Sequence, residues 1–151
     1  MDSQARFPEG AFRIEGGRRL HAALASAELG QIAPLRCRLR AALGRWGVPE
    51  LADTAELLLS ELVTNALLHT SYGARIDVLL DVPIDGGRRL RVEIGDHSVQ
   101  LPRPRGAGQG AGPAEDATSG RGLLLVEALA DAWGVQLRGH GKITWFELTL
   151  P

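Results

Sequence analysis

The sequence predicts an α+β fold, a two-layer sandwich with helices on one face of a mixed, largely antiparallel sheet. Three observations predict it. Apolar residues keep helical spacing over Ile32 to Trp46 and again over Glu56 to Thr70. The stretches "ARIDVLLDV" and "RRLRVEIGD" then alternate with the period of two that a half-buried strand requires. A last helical stretch from Gly120 and two more strand-like stretches repeat the order of helix and hairpin.

Taken in order, Met1 to Gly17 mixes Pro8, Gly10, Gly16 and Gly17 with charges and reads as a flexible tail that adds at most an edge strand near Phe12 to Ile14. Residues 18–151 read as a single domain. Leu20 to Ser26 fits a first strand or a helix, with the strand favoured. In the first helix Ile32, Leu35, Leu39, Ala42, Leu43 and Trp46 share a side. Pro34 belongs in a first turn, so the start falls near Ala33. Arg36, Arg38, Arg40 and Arg45 lie mostly opposite, a face that is solvated or docks an acidic partner. "GVPE" at Gly47 to Glu50 stops this helix and opens the next, because Gly closes a helix and Pro suits a first turn.

The second helix should end near Ser71 to Gly73, and Pro83 to Gly87 should turn the first hairpin. Leu101 to Ser119 is rich in Gly, Pro and Ala and too long for an ordinary connection, so a lid over about residues 99–119 is expected. "GRGLLLVEALADAWG" from Gly120 to Gly134 reads as a third helix, and "VQLRGH" and "KITWFELTL" as the closing hairpin around Gly139 to Gly141.

Composition narrows the function. The chain has 151 residues, 44% hydrophobic and 23% charged, as a soluble domain with one core does. No apolar run nears the roughly 20 residues that span a bilayer. A formal net charge of -1 gives no electrostatic footprint for nucleic acid. Met1 to Gly17 lacks the apolar centre of a signal peptide, and the single Cys37 has no partner for an internal disulfide, so a cytoplasmic setting is expected. Lys142 is the one lysine, and no Gly-x-x-x-x-Gly-Lys-Ser/Thr phosphate loop is present.

Chemistry concentrates in three places. On the second helix Glu61, Asn65 and His69 recur every four residues and so fall on one side. Leu57, Leu58, Leu59, Leu62, Val63, Ala66, Leu67 and Leu68 surround them so fully that the helix should be buried, where an unpartnered Glu or Asn costs several kcal/mol, on the order of 2–7. A core polar network, an edge open to solvent or a ligand site with a metal would each satisfy them. Asn65 offers a hard oxygen ligand of the kind Mg²⁺ takes beside phosphate and water, and Glu61 can hold a water or take a proton from an attacking hydroxyl. Asp96, at the end of "VEIGD", can accept a hydrogen bond from an exocyclic amine, although Asp is also an ordinary turn residue there. "SGRGL" at Ser119 to Leu123 brings Gly120 and Gly122 to a helix N-terminus, where free N–H groups favour phosphate.

In this order, "SELVTNALLHT", "IGDHS", "SGRGLLLVEALADAWG" and "GKITWFEL" resemble the bacterial anti-sigma-factor serine/threonine kinases (RsbW-like), members of the GHKL, or histidine-kinase-like ATPase, superfamily. The resemblance covers roughly Gln31 to Leu150 and implies the Bergerat ATP-binding fold. It implies that Asn65 binds the Mg²⁺ that bridges the ATP phosphates and that Glu61 is the general base. It further implies that Asp96 reads adenine with Thr144 through a bridging water, in a loop that contains Ser98. Ser119, Gly120, Arg121, Gly122 and Leu123 would wrap the phosphates, Arg103 or Arg105 would close on the γ-phosphate, and His69 would lie beside the phosphates or cap its helix. The superfamily's Asp-x-Gly-x-Gly is here Asp96-His97-Ser98-Val99-Gln100, with neither glycine, so the loop beside adenine must take another shape.

The expected function is therefore an ATP-dependent serine/threonine kinase and anti-sigma factor that phosphorylates a small antagonist protein, binds a sigma factor and forms a homodimer. A nucleotide sensor without turnover is the alternative. A purely structural partner protein leaves Glu61 and Asn65 unexplained.

Overall fold

The computed structural model of the chain describes residues 12–15 (backbone), 18–26, 28–68, 73–82, 86–96, 123–139 and 141–151. The elements follow as β1 (Phe12–Glu15), β2 (Arg19–Leu24), α1 (Ile32–Arg45), α2 (Ala52–Leu68), β3 (Ala74–Asp81), β4 (Arg88–Asp96), α3 (123–129), β5 (Ala132–Arg138) and β6 (Gly141–Leu150). Described strands form one six-stranded sheet in the order β1-β2-β3-β4-β6-β5. Each described pairing is antiparallel, so the mixed character expected of the sheet is not used among these strands.

Alternation sorts the sheet into two faces. On one, cross-strand register lines up whole apolar rows: Leu20, Val78, Val92, Phe146 and Trp133 form one, and Ala22, Ile76 and Ile94 begin the next. Leu35, Leu39 and Leu43 of α1 and Leu58, Leu59, Leu62 and Val63 of α2 close over these rows, and Val126 of α3 joins the same core. Each fully buried Leu, Ile or Phe contributes roughly 1.5–3 kcal/mol, so this layer contact holds the fold.

The other face is polar. Arg91 bonds Glu93 at 2.8 Å and Glu147 at 2.9 Å and stacks 4.1 Å above the Trp145 ring. His21 pairs with Asp77. Burial pushes the Asp77 carboxyl above its ordinary range, against the pull of His21 and Arg19.

Helix ends follow local chemistry. Gly47 (φ 83) closes α1, with the Val48 N–H on the Leu43 carbonyl at 2.9 Å and the Gly47 N–H on Gly44 at 3.2 Å, the paired bonds of a Schellman stop. Pro49 then opens a 3-10 turn, Pro49–Leu51, that runs into α2. The arginine face of α1 is not simply solvated: Arg40 bonds Asp53 at 2.6 Å and pairs with Glu56 of α2, and Arg36 lies 4.0 Å from Glu56.

One element departs from expectation. The third helix was expected to continue to Gly134, but α3 ends at 129 and Ala132, Trp133 and Gly134 belong to β5. The reason is pairing to β6: Trp133 enters the apolar row beside Phe146, and the Trp145 ring lies across Gly134, where an added Cβ would stand 2.9 Å from it. The expected turn at Pro83 to Gly87 and the lid at 99–119 fall wholly or largely outside the described residues.

Two predictions follow from this packing. Gly73 and Gly86 both hold positive φ (86 and 89), but a Cβ at Gly73 would sit 2.2 Å from the Leu24 carbonyl oxygen, whereas at Gly86 nothing lies within 4 Å. Forcing φ alone costs on the order of 1–3 kcal/mol, and each kcal/mol lowers Tm by roughly 2–4 °C in a domain of this size. Gly86→Ala should therefore melt a few degrees low and Gly73→Ala lower still by circular dichroism; equal melting temperatures contradict the close approach. For Asp77 the folded pKa is raised, so its contribution is fully present below the unfolded value of about 3.9 and is lost as pH rises through the folded one. The Tm of Asp77→Asn relative to wild type should thus become more positive between about pH 4 and pH 7, and a change of opposite sign contradicts the assignment.

Candidate functional site

α2 folds because it carries an apolar stripe at helical spacing: Ala52, Ala55, Leu58, Leu59, Leu62, Val63, Ala66 and Leu67 are buried. It is not buried all round, as the sequence suggested. Leu57 is 40% and Leu68 55% exposed, because a two-layer fold leaves the back of its helices open. Glu61 and Asn65 lie on the boundary, both half-buried and one turn, about 6 Å, apart along the axis.

Among the described residues, four buried side-chain atoms lack an aligned hydrogen-bond partner: Glu56 Oε2, Ser60 Oγ, Asn65 Oδ1 and Asp77 Oδ1. Two are compensated by charge, since Glu56 Oε2 lies against Arg40 and Asp77 Oδ1 against His21. A serine hydroxyl in a helix rotates readily onto the carbonyl one turn back, which offers Ser60 an internal partner. Asn65 has no such recourse. None of the described residues bonds its buried amide oxygen, a state that costs about 1–3 kcal/mol unless water, a ligand or another part of the chain completes it.

At one end of the covered face the apolar rows turn polar. Thr144 stands opposite Ile94 and is buried at 6% exposure, and one row further Asp96 stands opposite Lys142. The Lys142 ammonium lies 3.3 Å from both Asp96 oxygens, and the two side chains are 10% and 6% exposed in a part-buried pair. β3 begins at this same end, since Arg75 pairs with Gly95, and α2 ends at Leu68, so the short link to Ala74 keeps the C-terminal turns of α2 at the Asp96 end of the sheet. α2 also packs directly on β4. Asn65 and Asp96 therefore belong to one end of the molecule, with Glu61 one turn farther along α2.

Leu123 is buried at the first described position of α3. His69, Ser98, Arg103, Arg105, Ser119, Gly120, Arg121 and Gly122 lie outside the described residues. Sequence reasoning missed Lys142 as part of the site. Its signal is the strand register, which brings two segments far apart in the chain side by side.

The donor set fits magnesium. Mg²⁺ takes hard oxygen ligands and keeps most of its shell as water and phosphate, so it needs few ligands from the protein. Among the described residues no cluster of three or more His, Cys, Asp or Glu side chains offers an all-protein cage, and the Asn65 oxygen is an oxygen donor of the type such a shared shell can use. Nor is any described helix long and apolar enough to cross a membrane.

The sequence matches the histidine kinase-like ATPase domain family over residues 25–148. Among curated proteins no match to the sequence is found. In fold the chain is similar to the crystal structure of the RsbU and RsbW domains of Rv1364c from Mycobacterium tuberculosis, at 19% identity and a TM-score of 0.59 over 88% of this chain and 33% of that one. The histidine kinase domain from the Erythrobacter litoralis EL346 blue-light activated histidine kinase is 20% identical with a TM-score of 0.44, over 80% of this chain and 63% of that one. The chain thus spans a third of the length of the mycobacterial chain, and likeness at such identity speaks to the fold.

If the Asn65 oxygen is unbonded without ligand, replacing it with an apolar side chain removes a cost. Asn65→Leu should then melt, in the absence of nucleotide, at or above the wild-type temperature. A drop of more than a few degrees contradicts the assignment, because it would mean that the amide is held within the protein.

Proposed function

The chain belongs to the histidine kinase-like ATPase domain family, and from that membership we propose that it is an ATP-dependent serine/threonine kinase that acts on a small anti-sigma-factor antagonist. ATP binding follows from the family; the acceptor and the partners are our reading. Asn65 Oδ1 would hold the Mg²⁺, which supplies charge neutralisation at the phosphates during transfer. Glu61 takes the proton of the acceptor serine as its oxygen bonds the γ-phosphorus, the bond to the β–γ bridging oxygen breaks, and ADP leaves. Asp96 accepts a hydrogen bond from the adenine N6 amine, with Thr144 one row away acting through a water.

From the sequence resemblance, Ser119, Gly120, Arg121, Gly122 and Leu123 wrap the phosphates, Arg103 or Arg105 meets the γ-phosphate, His69 lies beside it, and Ser98 belongs to the loop after Asp96. The chain would act as a homodimer that holds a sigma factor once the antagonist is phosphorylated. The observation that carries the proposal is the buried, unbonded Asn65 oxygen one turn from a half-buried carboxylate. A second reading, a sensor that binds nucleotide without turnover, is favoured by the loop His97-Ser98-Val99-Gln100, which lacks the superfamily's two glycines.

Thermal melting and labelled ATP test both. Ligand at about 100 times its Kd adds roughly 2.7 kcal/mol, so saturating Mg·ATP should raise Tm by about 5–10 °C, and Asp96→Asn should abolish the rise. Glu61→Ala should keep the rise and lose about 100-fold or more of phosphate transfer to an antagonist co-purified from the native host. No rise for wild type at millimolar Mg·ATP overturns both readings. A rise with no transfer by wild type selects the sensor.

A further inference from the structure

Lys142 stands out three times over. It is the chain's single lysine among many arginines. Strand register sets it opposite Asp96, in a part-buried pair whose side chains are 10% and 6% exposed. And the contact is loose: 3.3 Å to each carboxylate oxygen, against the 2.8 and 2.9 Å of the Arg91 bridges on the open face. A charge-assisted N–H···O bond settles near 2.7–2.9 Å, about half an ångström shorter. A buried ion pair is a poor source of stability, since apolar residues of similar size serve as well, and a loose one is poorer still. An ammonium has three donors, and among the described residues Asp96 is its one partner, so donor capacity remains. An arginine fork would instead take both carboxylate oxygens in parallel and leave little for a third group.

We infer that Lys142 is a specificity determinant of the purine site: with Asp96 it forms a donor–acceptor pair that fits adenine and rejects guanine. The inference rests on the ATP-binding reading above. Along adenine's Watson–Crick edge the N6 amine donates and N1 accepts. Asp96 accepts from N6, and Lys142 donates to N1. Guanine in the same pose presents its O6 acceptor to the carboxylate and its N1–H donor to the ammonium, so both contacts become repulsive. Sites that read a base through buried hydrogen-bonding groups discriminate strongly, because the wrong ligand leaves those groups unpaired.

The test is calorimetric titration of wild type and Lys142→Met with Mg·ATP, Mg·GTP and the Mg²⁺ complex of 1-deaza-ATP, which lacks the N1 acceptor. A hydrogen bond to a charged group predicts that wild type binds 1-deaza-ATP about tenfold or more weakly than ATP, and GTP more weakly than ATP. Lys142→Met should bind ATP about tenfold or more weakly and no longer distinguish it from 1-deaza-ATP. Equal wild-type affinity for ATP and 1-deaza-ATP overturns the inference without any variant. So does a Lys142→Met that binds ATP as tightly as wild type or tighter, as it would if the lysine merely neutralised Asp96. If wild type binds no nucleotide at all, the ATP-binding reading itself falls, and the inference with it.

Discussion

A two-layer fold has one buried face, and every polar group at the edge of that face must find a partner or cost the protein stability. Here α2 closes the face, and at its boundary Asn65 presents a buried amide oxygen that no described residue bonds. Proteins tolerate few such atoms, because each forfeits its hydration without return. The two charged atoms in a similar state lie against Arg40 and His21, which compensate them. Asn65 stands out because its compensation must come from outside the described chain.

The sheet explains why that place is suited to a ligand. Register carries apolar rows across β2, β3, β4 and β6 and makes the centre of the layer contact continuous. Toward the end where β4 finishes and β6 begins, the rows pass to Thr144 and then to Asp96 and Lys142. The same alternation that builds the core therefore delivers polar groups to its rim, with no loop needed to aim them. Rigid strands fix the positions of Asp96, Lys142 and Thr144, and a rigid helix fixes Glu61 and Asn65, which is the preorganisation that recognition and phosphoryl transfer both require.

Much of this was legible in the sequence, for reasons that differ by element. β3 and β4 alternate so strictly that their faces follow from period alone, and the four-residue spacing of Glu61 and Asn65 sets them on one side of a helix before any packing is known. Gly47 and Pro49 marked the break between α1 and α2 because each has a local reason to be there. What failed depended on tertiary pairing. Ala132, Trp133 and Gly134 continue an apolar helical pattern, yet β6 claims them as strand. Leu57 and Leu68 look like core in a run of leucines, but the described elements form no third layer and leave them exposed. The Lys142 to Asp96 pair was invisible for a related reason: β4 and β6 are joined by no turn, so nothing local sets their register.

What the Asn65 amide oxygen bonds when a nucleotide is present decides whether α2 carries a metal site. The most direct test is a crystal structure with Mg²⁺ and a non-hydrolysable ATP analogue. The expected result is the Asn65 oxygen in the metal's coordination shell at about 2.0–2.1 Å, with phosphate oxygens beside it and Glu61 one turn away. An Asn65 oxygen bonded to protein, with metal and phosphates held elsewhere, would contradict it.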